Sequence, residues 1–103
     1  MDFKLIITKQ AEKMLDDLVY YLFVKINSEK AAKHLLDNVG KMYKRLQENP
    51  YQFPYCSDLF LKGKEYRKAI IVDMEYLLIF RIEENYVYVL GIFHRLEDYR
   101  EKI

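Results

Sequence analysis

The chain has 103 residues, and its 17 lysines and arginines against 16 aspartates and glutamates leave a net charge of +1, which gives no overall attraction toward polyanions. Its composition, 51% hydrophobic and 32% charged, is that of one globular domain and excludes a disordered chain. The longest apolar run, residues 86–93, is far shorter than the roughly 20 residues of a membrane helix, so no membrane partner is expected. The single Cys56 cannot form an internal disulfide and no signal peptide is recognisable, so the expected location is a reduced cytoplasm.

The first half of the chain is predicted to form a strand and two helices. Residues 3–8 are short and rich in β-forming side chains, and Thr8 can cap the helix that follows. Apolar residues then recur at steps of three and four over residues 11–26, and again after Ser28, a second candidate cap. The second stripe comprises Ala31, Ala32, Leu35, Leu36, Val39, Met42, Tyr43 and Leu46. Two helices joined by a few residues predict an αα-hairpin.

The second half is predicted to form a loop and three strands. Residues 50–61 contain both prolines and are interpreted as a loop packed by its own aromatic side chains. Three strand-like runs follow, separated by turn-forming pairs: residues 65–72, 75–83 and 86–94. Strands joined by tight turns pair antiparallel. The prediction is therefore one α+β domain over residues 1–103, ordered β-α-α-β-β-β, with the helical hairpin packed on an antiparallel sheet and a short tail at residues 96–103.

Residue types that bind metals or act as nucleophiles are sparse, and no metal or cofactor is expected. There are two histidines and one cysteine, and neither a CxxC nor an HExxH spacing occurs. The remaining candidates are cationic or aromatic: Lys62, Lys64, Arg67, Arg81, His94, Arg95 and Tyr99. Histidine can transfer protons and arginine can hold a phosphate, which are parts that metal-free RNA cleavage needs. The same side chains also fit a solvated strand edge and a packed chain end.

The chain resembles the RelE/ParE superfamily of type II toxin–antitoxin toxins over nearly its whole length. The resemblance lies in the segments AEKMLDDLVYYL, RLQENP, GKEYRKAII, EYLLIFRIEENYVYVLGIFH and the terminal HRLEDY. The resemblance implies a toxin that is neutralised by a cognate antitoxin, whose C-terminal segment wraps around the toxin. One branch of the superfamily cuts mRNA in the ribosomal A site without metal. The other branch, which is ParE-like, poisons DNA gyrase and cuts no RNA.

The RNA-cutting branch supplies expectations for individual residues. In that branch a basic residue on the first meander strand contacts the phosphate, which corresponds to Arg67. An arginine or histidine at the end of the last strand corresponds to His94 and Arg95, and a terminal aromatic residue to Tyr99. We therefore predict a ribosome-dependent mRNA endonuclease with ribosome and mRNA as partners, in which the catalytic residues are Arg67, His94, Arg95 and Tyr99 and the substrate-binding residues are Lys62, Lys64 and Arg81. The near-neutral charge keeps a non-enzymatic DNA gyrase inhibitor open as the alternative.

Overall fold

A computed structural model describes residues 2–103 and confirms the predicted α+β fold. The helices and strands in chain order are β1 (Lys4–Ile7), α1 (Lys9–Tyr20), α2 (Glu29–Glu48), α3 (Leu59–Gly63), β2 (Arg67–Ile70), β3 (Tyr76–Glu83) and β4 (Tyr86–His94). A π-helical turn, Tyr21–Lys25, extends α1, and 3-10 turns occupy Pro50–Gln52 and Tyr99–Lys102. Within the described residues, no helix combines the length and the apolar character needed to cross a bilayer.

Both predicted helix caps are confirmed. The Thr8 hydroxyl accepts a hydrogen bond from the Ala11 N–H at 3.2 Å and donates one to the Val89 carbonyl at 2.9 Å, so it also fastens the start of α1 to β4. The Ser28 hydroxyl accepts from the Ala31 N–H at 3.0 Å. Each cap satisfies a backbone donor that the first helical turn leaves unpaired.

The sheet has the strand order β1-β4-β3-β2. The last three strands form the predicted antiparallel meander, and β1 adds to its edge parallel to β4, with Lys4 opposite Tyr86. Parallel neighbours cannot be joined by a tight turn, and here the helical hairpin, α3, β2 and β3 all lie between β1 and β4 in the chain. The interpretation of residues 50–61 as loop alone is wrong in one respect, because α3 begins at Leu59, where the Asp58 carboxylate accepts the Leu61 N–H at 3.1 Å and starts a short helix.

Two layers of buried side chains cover the two sides of the sheet. On the side that we call the helical face, the hairpin packs on Leu78, Phe80, Val87, Val89 and Ile92. On the opposite side, the outer face, Cys56 and Leu61 pack on Leu77, Ile79 and Phe93. Burial raises the pKa of the Cys56 thiol, which therefore stays protonated at neutral pH. Consecutive strand residues point to opposite faces, and β3 has buried apolar side chains on both of them.

The predicted apolar stripe of α2 is wrong at one position, Leu36. Leu35 is fully buried at 0% exposure, whereas Leu36 is 47% exposed. Neighbouring positions of a helix with 3.6 residues per turn point about 100° apart. The buried stripe instead continues through Val39, Met42 and Leu46, at steps of four and three.

Candidate functional site

The Arg67 guanidinium is held between aromatic side chains at the edge of the sheet. Its Cζ lies 4.0 Å from the centroid of the Tyr55 ring and 5.3 Å from that of Tyr51. Its Nη1 donates a hydrogen bond to the Phe53 carbonyl at 2.6 Å. These contacts fasten the segment before α3 against β2, and they engage the group that was predicted to contact a phosphate.

Tyr51 and Tyr55 were not among the predicted site residues, although a signal for them exists. Tyr51, Phe53 and Tyr55 alternate at every second position, which is the period of an extended chain lying beside a strand. Tyr55 indeed forms an isolated antiparallel bridge with Arg67. Both tyrosines are substantially exposed, so the stacked rings are accessible to solvent.

We expect Arg67→Ala to lower the free energy of unfolding by about 1–3 kcal/mol, because it removes a hydrogen bond from a charged group and two cation–π contacts. Urea unfolding followed by circular dichroism measures the change. Lys68→Ala is the matched control, since the ammonium of this neighbouring cation makes neither kind of contact with the described residues. Equal unfolding midpoints for the two variants would show that the stack contributes no stability.

His94 ends β4 on the helical face. It lies opposite Tyr76, and the two rings meet edge to face with their centroids 5.6 Å apart. The His94 Nδ1 accepts a hydrogen bond from the Leu96 N–H at 3.1 Å. The neutral ring in this geometry therefore carries its proton on Nε2.

Glu97 closes the turn that follows β4. One carboxylate oxygen accepts the His94 backbone N–H at 2.6 Å, and the other accepts the Lys102 ammonium at 2.5 Å. Partial burial acts to raise the pKa of Glu97, but the hydrogen bonds from Lys102 and His94 outweigh it, so the pKa is lowered overall.

A carboxyl group whose pKa is lower in the folded state adds stability above its unfolded pKa and loses it as the pH falls through the folded value. We therefore expect Glu97→Gln to lower the melting temperature at neutral pH. The difference from wild type should shrink as the pH falls below the ordinary glutamate pKa of about 4.3. Thermal scans from neutral to strongly acidic pH measure it, with exposed Glu101→Gln as control. A difference that does not change with pH would contradict this role of Glu97.

Tyr99 and Arg95 lie apart from the His94 ring. Tyr99 packs on Phe93 at the outer face, with ring centroids 5.7 Å apart and a tilt of 40°. Burial raises the pKa of Tyr99, and the nearby Cys56 and Asp58 add to that effect. Arg95 lies in the turn after β4, where its Nη1 is 3.9 Å from a carboxylate oxygen of Glu75.

The three residues predicted to bind substrate lie on α3 and β3. Lys62 is exposed near the end of α3. Lys64 follows, with its Nζ 4.5 Å from the centroid of the Phe60 ring. Arg81 forms an ion pair with Glu83, and its Cζ lies 4.3 Å from the centroid of the Tyr88 ring. Lys64 and Arg81 thus each already have an aromatic partner within the chain.

Three of the four residues predicted as catalytic, Arg67, His94 and Tyr99, occupy separate places. His94 lies on the helical face, whereas Tyr99 packs against Phe93 on the outer face. Arg67 lies opposite Phe80 on β3, and His94 lies opposite Tyr76 on the same strand. Phe80 and Tyr76 are four residues apart, which is about 13 Å along the strand at the usual rise per residue. A base, an acid and a cation must meet at one phosphodiester group to cleave it. This geometry does not bring them together, and their catalytic role stays a prediction.

The strand order, the helical hairpin and the three-stranded meander are the arrangement expected of the RelE/ParE superfamily. Residues 5–99 match the family described as the ParE toxin of the type II toxin–antitoxin system parDE. The chain therefore belongs to the ParE toxin family, and an antitoxin is its expected partner protein.

A solved structure titled as the chromosomal ParDE toxin–antitoxin system from P. aeruginosa contains a similar chain. The TM-score is 0.73 at 22% sequence identity, and the likeness covers 89% of this chain and 95% of that one. At this identity the likeness shows the fold alone. No curated protein matches the sequence.

Proposed function

We propose that this chain is a toxin that acts by binding DNA gyrase and that it does not cut RNA. What supports this function most is the separation of Arg67 from His94, because the predicted cleavage needs the cation and the proton-transferring group at one phosphate. Membership of the ParE family also supports it, since the resemblance links the ParE-like branch to gyrase. The net charge of +1 points the same way, because binding to RNA draws much of its strength from contacts with phosphates.

A protein-binding surface suited to this function lies at the tip of the helical hairpin. We define the hairpin tip as the exposed apolar side chains of Tyr20, Tyr21, Phe23, Val24 and Ile26. All of them belong to the end of α1, the π-helical turn and the residue that follows that turn. Exposed apolar residues gathered in one place are typical of surfaces that bind proteins. We propose that a protein partner of the toxin contacts the hairpin tip.

The test of this function asks whether the chain cuts a message. Purified chain is added to translating ribosomes, and primer extension maps the ends of the message. The same preparation is assayed with gyrase, so that an inactive sample is recognised. We expect full-length message together with inhibited gyrase. Breaks at discrete positions that require both translation and the chain would overturn the proposal and restore the nuclease interpretation.

A further inference from the structure

A cleft of about 410 Å³ opens between α1 and the strand ends around His94. Its lining residues are Met14, Asp17, Leu18, Tyr21, Tyr76, Ile92, His94 and Glu97. Three of these side chains are aromatic rings and two are carboxylates. No lysine or arginine belongs to the lining, within the part of the chain that the structure describes. A cleft of this size can take one large side chain of another protein.

The rings form the walls of the cleft. Tyr76 and His94 meet edge to face, so the ring that presents its edge does not use its own faces in this contact. Tyr21 is 48% exposed and lines the cleft together with Tyr76. The negative face of an aromatic ring attracts a cation within about 6 Å.

Of the two carboxylates, Glu97 is already bonded through both oxygens, to Lys102 and the His94 N–H, so Asp17 is the one that can accept a further donor. Asp17 uses Oδ2 for an ion pair with Lys13 at 2.8 Å, and its Oδ1 accepts no hydrogen bond from residues 2–103. The Lys13 and Asp17 side chains are 76% and 65% exposed, and exposed pairs of this kind contribute little to stability. An incoming cation can therefore share Asp17 or displace Lys13 at small cost.

At two other places in this chain, an arginine lies over an aromatic ring and pairs with a carboxylate. Arg81 lies over Tyr88 and pairs with Glu83. Arg100 lies 5.2 Å from the centroid of the Phe60 ring and pairs with Asp58 at 3.6 Å. The cleft offers the same two elements in Tyr21 or Tyr76 and Asp17, with no arginine of the described residues in it.

We propose that this cleft binds an arginine side chain presented by a partner protein. A guanidinium fits better than an ammonium, because it is planar, stacks on rings and can still donate in its plane to a carboxylate. Stacked on Tyr21 or Tyr76, it would donate to Asp17 Oδ1. This inference does not depend on whether the toxin acts on gyrase, because it concerns recognition of a side chain and not the target.

The test uses Nα-acetyl-arginine amide as the probe and NMR amide spectra of the isotope-labelled chain. We expect saturable shifts confined to the cleft, at residues such as Leu18, Tyr76 and His94. Nα-acetyl-citrulline amide, which is nearly isosteric and neutral, should give no saturable shift. Shifts that do not saturate, that lie elsewhere, or that citrulline reproduces would overturn the proposal.

Variants then identify the contacts. Asp17→Asn and Tyr21→Leu change exposed side chains, so their spectra should show an intact fold. We expect Asp17→Asn to weaken probe binding about fivefold, the upper end of what an exposed ion pair contributes. Asp16→Asn removes the same charge from the neighbouring position, outside the cleft, and should leave binding within about twofold of wild type. Equal weakening by the two aspartate variants would show that binding depends only on the net charge of the chain, and it would overturn the assignment of the cleft.

Discussion

We expect Leu35→Ala to lower the free energy of unfolding by about 2–5 kcal/mol, which is the range for deleting a buried leucine side chain. Leu35 is 0% exposed in the middle of α2 and belongs to the cluster that joins the hairpin to the helical face. The loss is large because the hairpin and the sheet are held together mainly by this layer. Urea unfolding monitored by circular dichroism measures it.

The neighbouring residue provides the matched control. Leu36→Ala makes the same chemical change at a position that is 47% exposed, and we expect a change within about 0.5 kcal/mol. Both positions lie within α2 and have the same helix-forming context. Equal destabilisation by the two substitutions would mean that the buried face of α2 is assigned incorrectly.

Expression of the chain without an antitoxin is expected to arrest growth, and the arrest should survive His94→Gln and Tyr99→Phe. General acid–base catalysis contributes about 10²–10⁴ to a rate, so a nuclease that used His94 would lose its toxicity with the imidazole. A toxin that acts by binding loses nothing of that size. Tyr99→Phe keeps the ring that packs on Phe93 and removes only the hydroxyl.

Viable counts after induction measure the arrest, and immunoblots of the soluble fraction establish equal protein levels. Recovery of growth by His94→Gln at an unchanged soluble level would contradict the binding account. Normal growth with high levels of folded wild-type chain would show that the chain is not toxic in the host tested.

Much of the fold follows from local patterns in the sequence. The steps of three and four identify α1 and α2, and Thr8 and Ser28 mark their first residues. Turn-forming residues separate the three meander strands, and two of them, Asp73 and Glu84, adopt positive φ values of 62° and 56°. The parallel pairing of β1 with β4 could not be predicted in this way, because the four residues of β1 carry no information about which strand they join.

The candidate site was harder to predict, because it depends on contacts between distant parts of the chain. The sequence shows Arg67 as a free cation on a strand, but the chain segment that stacks on it lies more than ten residues upstream at Tyr51 and Tyr55. Likewise, His94 and Tyr99 are only five residues apart. The turn after β4 nevertheless carries the tail onto the outer face, so that proximity in sequence does not become proximity in space.

The most direct test of the proposed action is the conversion of relaxed plasmid to supercoiled plasmid by purified gyrase, at increasing concentrations of the purified chain. We predict inhibition that rises with the concentration of the chain and is relieved when the antitoxin is added in excess. The account would be contradicted if the purified chain left gyrase fully active at every concentration while expression of the same chain in cells arrested growth.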